Sequence, residues 1–176
     1  TLLGAFRGED KILLINKGGD AKVITPEMSL HFNDKLICLE KWIPNKPITA
    51  VYLDRKKQRY FIKRFLIESE TKEDQFIRPE GELVFLNTEW RPLLKVNFVK
   101  PRDKDPIASL EINAEEFIAI KGFKALGNQL THQKIKNIEL KEALPYEKEE
   151  KSLEEIEVTE EEEVRGDDDS QTKLNL

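Results

Sequence analysis

The chain has 176 residues, 39% hydrophobic and 36% charged, enough for one globular domain with a packed core. Its 29 basic and 34 acidic side chains give a net charge of −5, but the charge is segregated: from Tyr146 onward 13 acidic residues face only Lys148, Lys151, Arg165 and Lys173, a net of −9, so residues 1–145 keep 25 basic and 21 acidic residues, a net of +4. No apolar run approaches the ~18 residues of a membrane-spanning helix, and no secretory leader pattern opens the chain, so a membrane protein is not expected.

In chain order, Lys11 to Ile15, the turn Asn16-Lys17-Gly18-Gly19-Asp20 and Ala21 to Thr25 read as strand, tight turn, strand. The glycine pair does not make a phosphate-binding loop, because no Gly-Lys-Ser/Thr follows and no amphipathic helix opens there. Pro26 to Lys35 is irregular, and Leu36 to Trp42 is strand-like again. Within it, Cys38 lies in an apolar run, which predicts a buried structural thiol rather than a nucleophile; as the lone cysteine it excludes an internal disulfide and fits a reducing cytoplasm. The loop Pro44-Asn45-Lys46-Pro47 stops any ladder.

The strongest signal is Ile48 to Ile67. Two runs of β-branched and aromatic residues flank a short basic centre, which predicts a β-hairpin with Arg55, Lys56, Lys57 and Arg59 at its turn and Lys63 and Arg64 on its second strand. Beyond an acidic connector, Gln75 to Arg78 and Glu82 to Leu86 are short predicted strands around Pro79 and Gly81. Pro92 to Val99 and Ile107 to Ile112 bracket the basic turn Lys100 to Pro106, a third hairpin. Phe117 to Ile120 leads into the basic, glycine-containing stretch Lys121 to Asn128, and Ile135 to Leu140 closes the body. Hairpins therefore start near Lys11, Ile48 and Pro92, about 40 residues apart, a spacing typical of propeller-like repetition of a four-stranded unit. No apolar stripe at helical spacing is evident, so residues 1–145 are predicted to be all-β. Residues 146–176, with Glu160 to Glu163 and Asp167 to Asp169, are expected to form an acidic disordered tail.

Catalytic chemistry is not expected. His31 and His132 lie far apart without partners at metal-ligand spacing, no nucleophile–base arrangement is suggested, and the carboxylates concentrate in the tail, where nothing fixes an acid/base pair. The catalytic and metal sites are therefore predicted as none.

The segment Phe32 to Asp54, with Arg59-Tyr-Phe-Ile-Lys-Arg-Phe65, resembles the C-terminal domain of the A subunit of bacterial DNA topoisomerase IV, which is related to the DNA gyrase A subunit. Asp10 to Gly19 is similar to that family's strand–Lys–Gly turn, and Ala119 to Asn128 to its basic return strand; the likeness covers roughly residues 1–142, and the start at Thr1 suits a piece of a longer chain. It implies a β-pinwheel of about three four-stranded blades that wraps double-stranded DNA on a basic rim. The fragment would be non-catalytic and monomeric, located in the cytoplasm with the nucleoid, and partnered by the ATPase B subunit together with the rest of the A subunit. The ATP, magnesium and cleaving tyrosine of the parent isomerase belong to other domains, so no cofactor is expected here and Tyr52, Tyr60 and Tyr146 are not assigned that role. The gyrase-type box is absent, with Lys121 to Asn128 a degenerate version at best, which favours decatenation and relaxation over negative supercoiling.

Wrapping requires many phosphate contacts spread along a surface, and cations on turns and outer strands suit it. The DNA-binding residues expected are Lys17, Lys22, Arg55, Lys56, Lys57, Arg59, Lys63, Arg64, Lys100, Arg102, Lys104, Lys121, Lys124, Lys134 and Lys136. Strand alternation puts Lys63 and Arg64 on opposite faces, so at most one of them is expected to face DNA. The acidic tail could act as an intramolecular competitor for these cations. The alternative function is a propeller-like protein-interaction module without direct DNA wrapping, which the modest +4 keeps open.

Overall fold

The run Ile48 to Phe65 folds as the longest hairpin of the chain, and the rest is layered on it. In this computed structural model, which describes residues 5–26, 35–68, 71–102 and 104–145, strand β4 (Ile48–Asp54) pairs antiparallel with β5 (Arg59–Phe65) from Ile48↔Phe65 to Asp54↔Arg59. Asp54 closes the turn by accepting the backbone N–H of Lys57 at 2.9 Å, and Gln58 takes a positive φ of 53° while its side chain donates to the Arg55 carbonyl.

The other strands are β1 (Ile12–Asn16), β2 (Asp20–Ile24), β3 (Leu36–Lys41), β6 (Asp74–Gln75), β7 (Gly81–Asn87), β8 (Leu93–Phe98), β9 (Leu110–Asn113), β10 (Ile120–Lys121), β11 (Asn128–Thr131) and β12 (Ile135–Leu140), with one short helix, α1 (Ala114–Phe117). They form three sheets of order β3-β1-β2-β6, β10-β5-β4-β7 with β11 also on β5, and β12-β8-β9. All described ladders are antiparallel except β10 on β5, and no closed barrel forms among the described residues.

One connection rule recurs. Each hairpin (β1–β2, β4–β5, β8–β9) receives on its first strand a later return strand of its own unit: β3, β7 and β12 respectively. The chain also crosses back between units: β6, which follows β5, pairs with β2, and β10 and β11, which follow β9, pair with β5. Neighbouring sheets are thus stitched by strands as well as by side chains.

The middle sheet is covered on both faces. Ala50, Tyr52, Phe61 and Phe65 pack with Leu13, Ile15, Ala21, Phe76 and Ile77 in one core, while Val51, Tyr60 and Ile62 pack with Leu94, Val96, Ile112 and Ile135 in a second. This explains why β4 reads as a nearly continuous apolar run: a two-sided strand has no solvent face on which polar residues would alternate. Gly19, at φ 80°, forms the β1–β2 turn and lies directly under the Ile77 side chain, so the turn admits neither another backbone conformation nor a Cβ.

Three expectations need adjustment. The all-β body contains one short helix, α1, which ends at Phe117, and β10 begins at Ile120. Asn113 caps that helix by accepting the Glu115 N–H, and Glu115 and Glu116 occupy its first turn, which favours a helical turn over extension. Gln75 to Arg78 keeps strand pairing only at Gln75, because the chain then leaves the first sheet for the second. Ile107 to Ile112 is paired only from Leu110. The expected disordered tail, residues 146–176, lies outside the described residues, as do Phe32 to Asp34 of the segment carrying the resemblance, His31 and Asp103.

Candidate nucleic-acid interface

The crossing strands decide where the cations go. At the first hairpin tip the Phe76 N–H donates to the Gly19 carbonyl at 2.9 Å, and the same linker re-enters the second sheet where Gly81 pairs with Asp54, at the second tip. Likewise β11 ends with Thr131 opposite Tyr60 beside the second tip, and β12 begins with Ile135 opposite Phe98 at the third, where the Val99 N–H donates to the Lys134 carbonyl at 2.8 Å. Two short linkers, residues 76–80 and 132–134, therefore join the three hairpin tips in sequence, and the tips share one edge of the stitched sheets.

Of the predicted residues, this edge brings together Lys17 at the first tip, Arg55, Lys56, Lys57 and Arg59 at the second, and Lys100, Arg102 and Lys104 at the third, with Lys134 and Lys136 at the start of β12; all are exposed. Their engagement differs. Arg55 forms a two-pronged ion pair with Glu82 (2.6 and 3.1 Å), and Arg59 donates to Gln129 at 2.7 Å. Lys57 lies over the Phe61 ring, 5.6 Å from its centroid. Lys56, Lys100 and Lys104 make no bond to another side chain among the described residues, leaving their charge available. Glu80, Glu82 and Asp105 are exposed on the same edge, so its positive character is net rather than uniform.

Lys22, Lys121 and Lys124 do not join it. Lys22 sits opposite Leu14 in mid-strand and approaches Glu73 at 3.6 Å. Lys121 pairs opposite Phe65, at the far end of β5, about 20 Å from the tip at ~3.3 Å per residue. Lys124 binds Asp74, and that hydrogen bond holds the Asp74 carboxyl below its ordinary value.

Lys63 and Arg64 are removed from the surface set. Alternation does place them on opposite faces, but both faces of the middle sheet are covered, so their exposures are 0% and 4%. Arg64 donates to the Trp90 carbonyl at 2.9 Å; burial lowers its pKa despite Glu115 nearby, and its Nε and the Thr49 hydroxyl across the ladder have no hydrogen-bond partner among the described residues. The Lys63 ammonium donates to three backbone carbonyls, Phe76 at 2.6 Å, Phe123 at 2.7 Å and Ala125 at 2.9 Å, with its Nζ 4.8 Å from the centroid of the Phe65 ring. Burial pushes its pKa down to about 8.

One cation on the edge escaped sequence reasoning. Arg78 is exposed in the first linker, between the first two tips. The neighbouring Pro79-Glu80-Gly81 announced a turn, but only the pairing of β6 with β2 reveals that this turn bridges two basic tips.

Such an edge offers dispersed cations on hairpin turns. Among the described residues, no group of three His, Cys, Asp or Glu side chains is placed to hold a metal ion. Compared with models of protein families, residues 1–143 match the one described as the topoisomerase C-terminal domain, Bacteroidota. Comparisons with curated proteins and with solved structures gave no match.

Proposed function

The chain belongs to the topoisomerase C-terminal domain family of the Bacteroidota, and from that membership we propose that it binds and bends double-stranded DNA along its hairpin-tip edge, as the non-catalytic wrapping domain of a type IIA topoisomerase A subunit. In this reading the three sheets are blades of a β-pinwheel, and the bent duplex is presented to the parent enzyme for decatenation and relaxation. Its protein partners are the ATPase B subunit together with the rest of the A subunit, and it needs no cofactor of its own.

One observation carries the proposal: crossing linkers gather three basic turns, far apart in sequence, onto one edge. Bending a 20–30 base-pair site costs on the order of 1–6 kcal/mol, so phosphate contacts must form together on a surface that does not yield. A rigid row of hairpin tips meets that requirement. A base-reading element is not needed, since such contacts position DNA without reading sequence.

The test is duplex affinity across a salt series. Log affinity should fall linearly with log salt by about 0.9 for each phosphate neutralised, and the sequence of the duplex should matter little. Replacing Lys56, Lys57 and Arg59 with glutamine should weaken binding and flatten that line, while the same replacement of Lys22 and Lys121 should leave it nearly unchanged. If residues 1–145 bind no duplex at low salt, the proposal fails and a protein-interaction surface takes its place.

A further inference from the structure

A fully buried ammonium with no carboxylate partner among the described residues calls for an explanation. Lys63 sits on β5 in the middle sheet, and its three N–H groups are used up by three carbonyls. Those carbonyls come from two different crossings. Phe76 opens the linker from the first hairpin tip to the second, whereas Phe123 and Ala125 lie on the stretch that brings the chain from β10 to β11, back along β5. The same stretch is held at two further points, by the Tyr52 hydroxyl donating to the Leu126 carbonyl at 2.7 Å and by Gly127, whose φ of 86° lets the backbone pass close over Ile62. Lys63 thus bonds both the linker that leads from the first tip to the second and the β10–β11 stretch that lies along β5, beside the Lys124–Asp74 pair that ties the same stretch to β6.

An apolar side chain of equal volume would fill this space without burying a charge, and such replacements are often neutral or stabilising. It could not, however, orient three separate carbonyls. A tetrahedral ammonium does, because each acceptor fixes one N–H direction. The contact therefore specifies geometry at a site where burial alone would not.

We infer that Lys63 is a positioning residue for DNA binding: by tying the Phe76 carbonyl to those of Phe123 and Ala125, it fixes the spacing of the hairpin tips so that their cations reach phosphates simultaneously. This rests on the DNA-binding reading above. Lys63 itself touches no DNA. Its effect is on how many tip cations engage at once, and the salt dependence of binding reports that number.

The experiment measures duplex affinity over a salt series, well below each protein's melting temperature, for the wild-type chain and for Lys63→Met, Lys63→Gln and Lys63→Arg. Lys63→Met is expected to lose about tenfold in affinity and to show a shallower salt dependence, by about two contacts, although every surface charge remains. Lys63→Arg, which keeps the charge and the donors, is expected to restore most of the slope. Lys63→Gln keeps two donors without the charge and stands in for the methionine variant should that one fail to fold; it is expected to fall between wild type and Lys63→Met. A purely structural role would lower the melting temperature and leave the slope of the folded protein unchanged, and that result for either uncharged variant overturns the inference. A wild-type chain that binds no duplex overturns the DNA-binding reading and this inference with it, whereas wild-type binding with unaltered variants overturns the positioning role alone.

Discussion

Raising the pH from 8 to 9 should stabilise this chain through Lys63. Burial lowers the pKa of its ammonium from 10.5 to about 8, and the charge of Lys124 acts in the same direction. Between those values the unfolded chain still holds a proton that the folded chain has released. Stability therefore rises with pH across that window, and this group adds no slope well below it. The whole displacement is worth about 3 kcal/mol at ~1.4 kcal/mol per unit. About 1 kcal/mol of it falls between pH 8 and 9, or roughly 3 °C in melting temperature for a domain of this size. Two groups work against it. Burial raises Cys38 from 9.0 to about 12 and Tyr52 from 10.0 to about 12, so each keeps its proton longer in the folded chain and removes stability as pH climbs past its unfolded value. Below pH 9 Cys38 subtracts only a few tenths of a kcal/mol, and Tyr52 acts later still. Melting of wild type and Lys63→Met by calorimetry at pH 7, 8 and 9 isolates the effect, since the difference between them cancels Cys38 and Tyr52. The wild type should gain about 1 kcal/mol on the variant from pH 8 to 9. Parallel curves would refute a buried, charge-bearing Lys63.

Other outcomes follow from the same geometry. Gly127→Ala would force a Cβ against the Ile62 carbonyl at a φ of 86°, and a loss of roughly 2–4 kcal/mol in chemical denaturation is expected. Glu82→Gln removes the partner of Arg55 and one negative charge from the tip edge, so duplex affinity at low salt should rise about two- to fivefold, with little change in stability because exposed ion pairs contribute at most about 1 kcal/mol. Arg78→Gln should weaken binding about as much as Lys56→Gln, each reducing the salt slope by about 0.9, whereas equal slopes for Arg78→Gln and wild type would remove the linker from the binding edge. Truncation after Pro145 should tighten duplex binding if the acidic segment competes for the tip cations, and unchanged affinity and slope would exclude that competition.

Much of the strand pattern was legible because local chemistry and final pairing agree. The turn at Gly18-Gly19, the basic turn after Asp54 and the run Ile135 to Leu140 all fold as their residues suggest. What escaped was determined by partners remote in sequence. Nothing in Asp74-Gln75 says that it will pair with Asp20 and Ala21, and nothing near Ile120 announces a parallel rung beside Arg64. Lys63 and Arg64 were misplaced for the same reason: alternation correctly separates them, but it cannot tell that sheets lie over both faces. The tip edge was only half visible. Its cations could be picked out from the turns, yet their convergence depends on two linkers whose endpoints are set by long-range pairing, and Arg78 was overlooked with them. Asn113 shows the opposite failure, a local cap that sets one helical turn in a body expected to be all-β.

The central claim, that the hairpin tips bend a duplex as one edge, is tested most directly by religating nicked circular DNA in the presence of saturating protein and resolving the topoisomers. A wrapping edge should shift the linking-number distribution in proportion to bound protein, and glutamine at Lys56, Lys57 and Arg59 should abolish the shift. An unchanged distribution under conditions where the wild-type chain is fully bound would contradict the account.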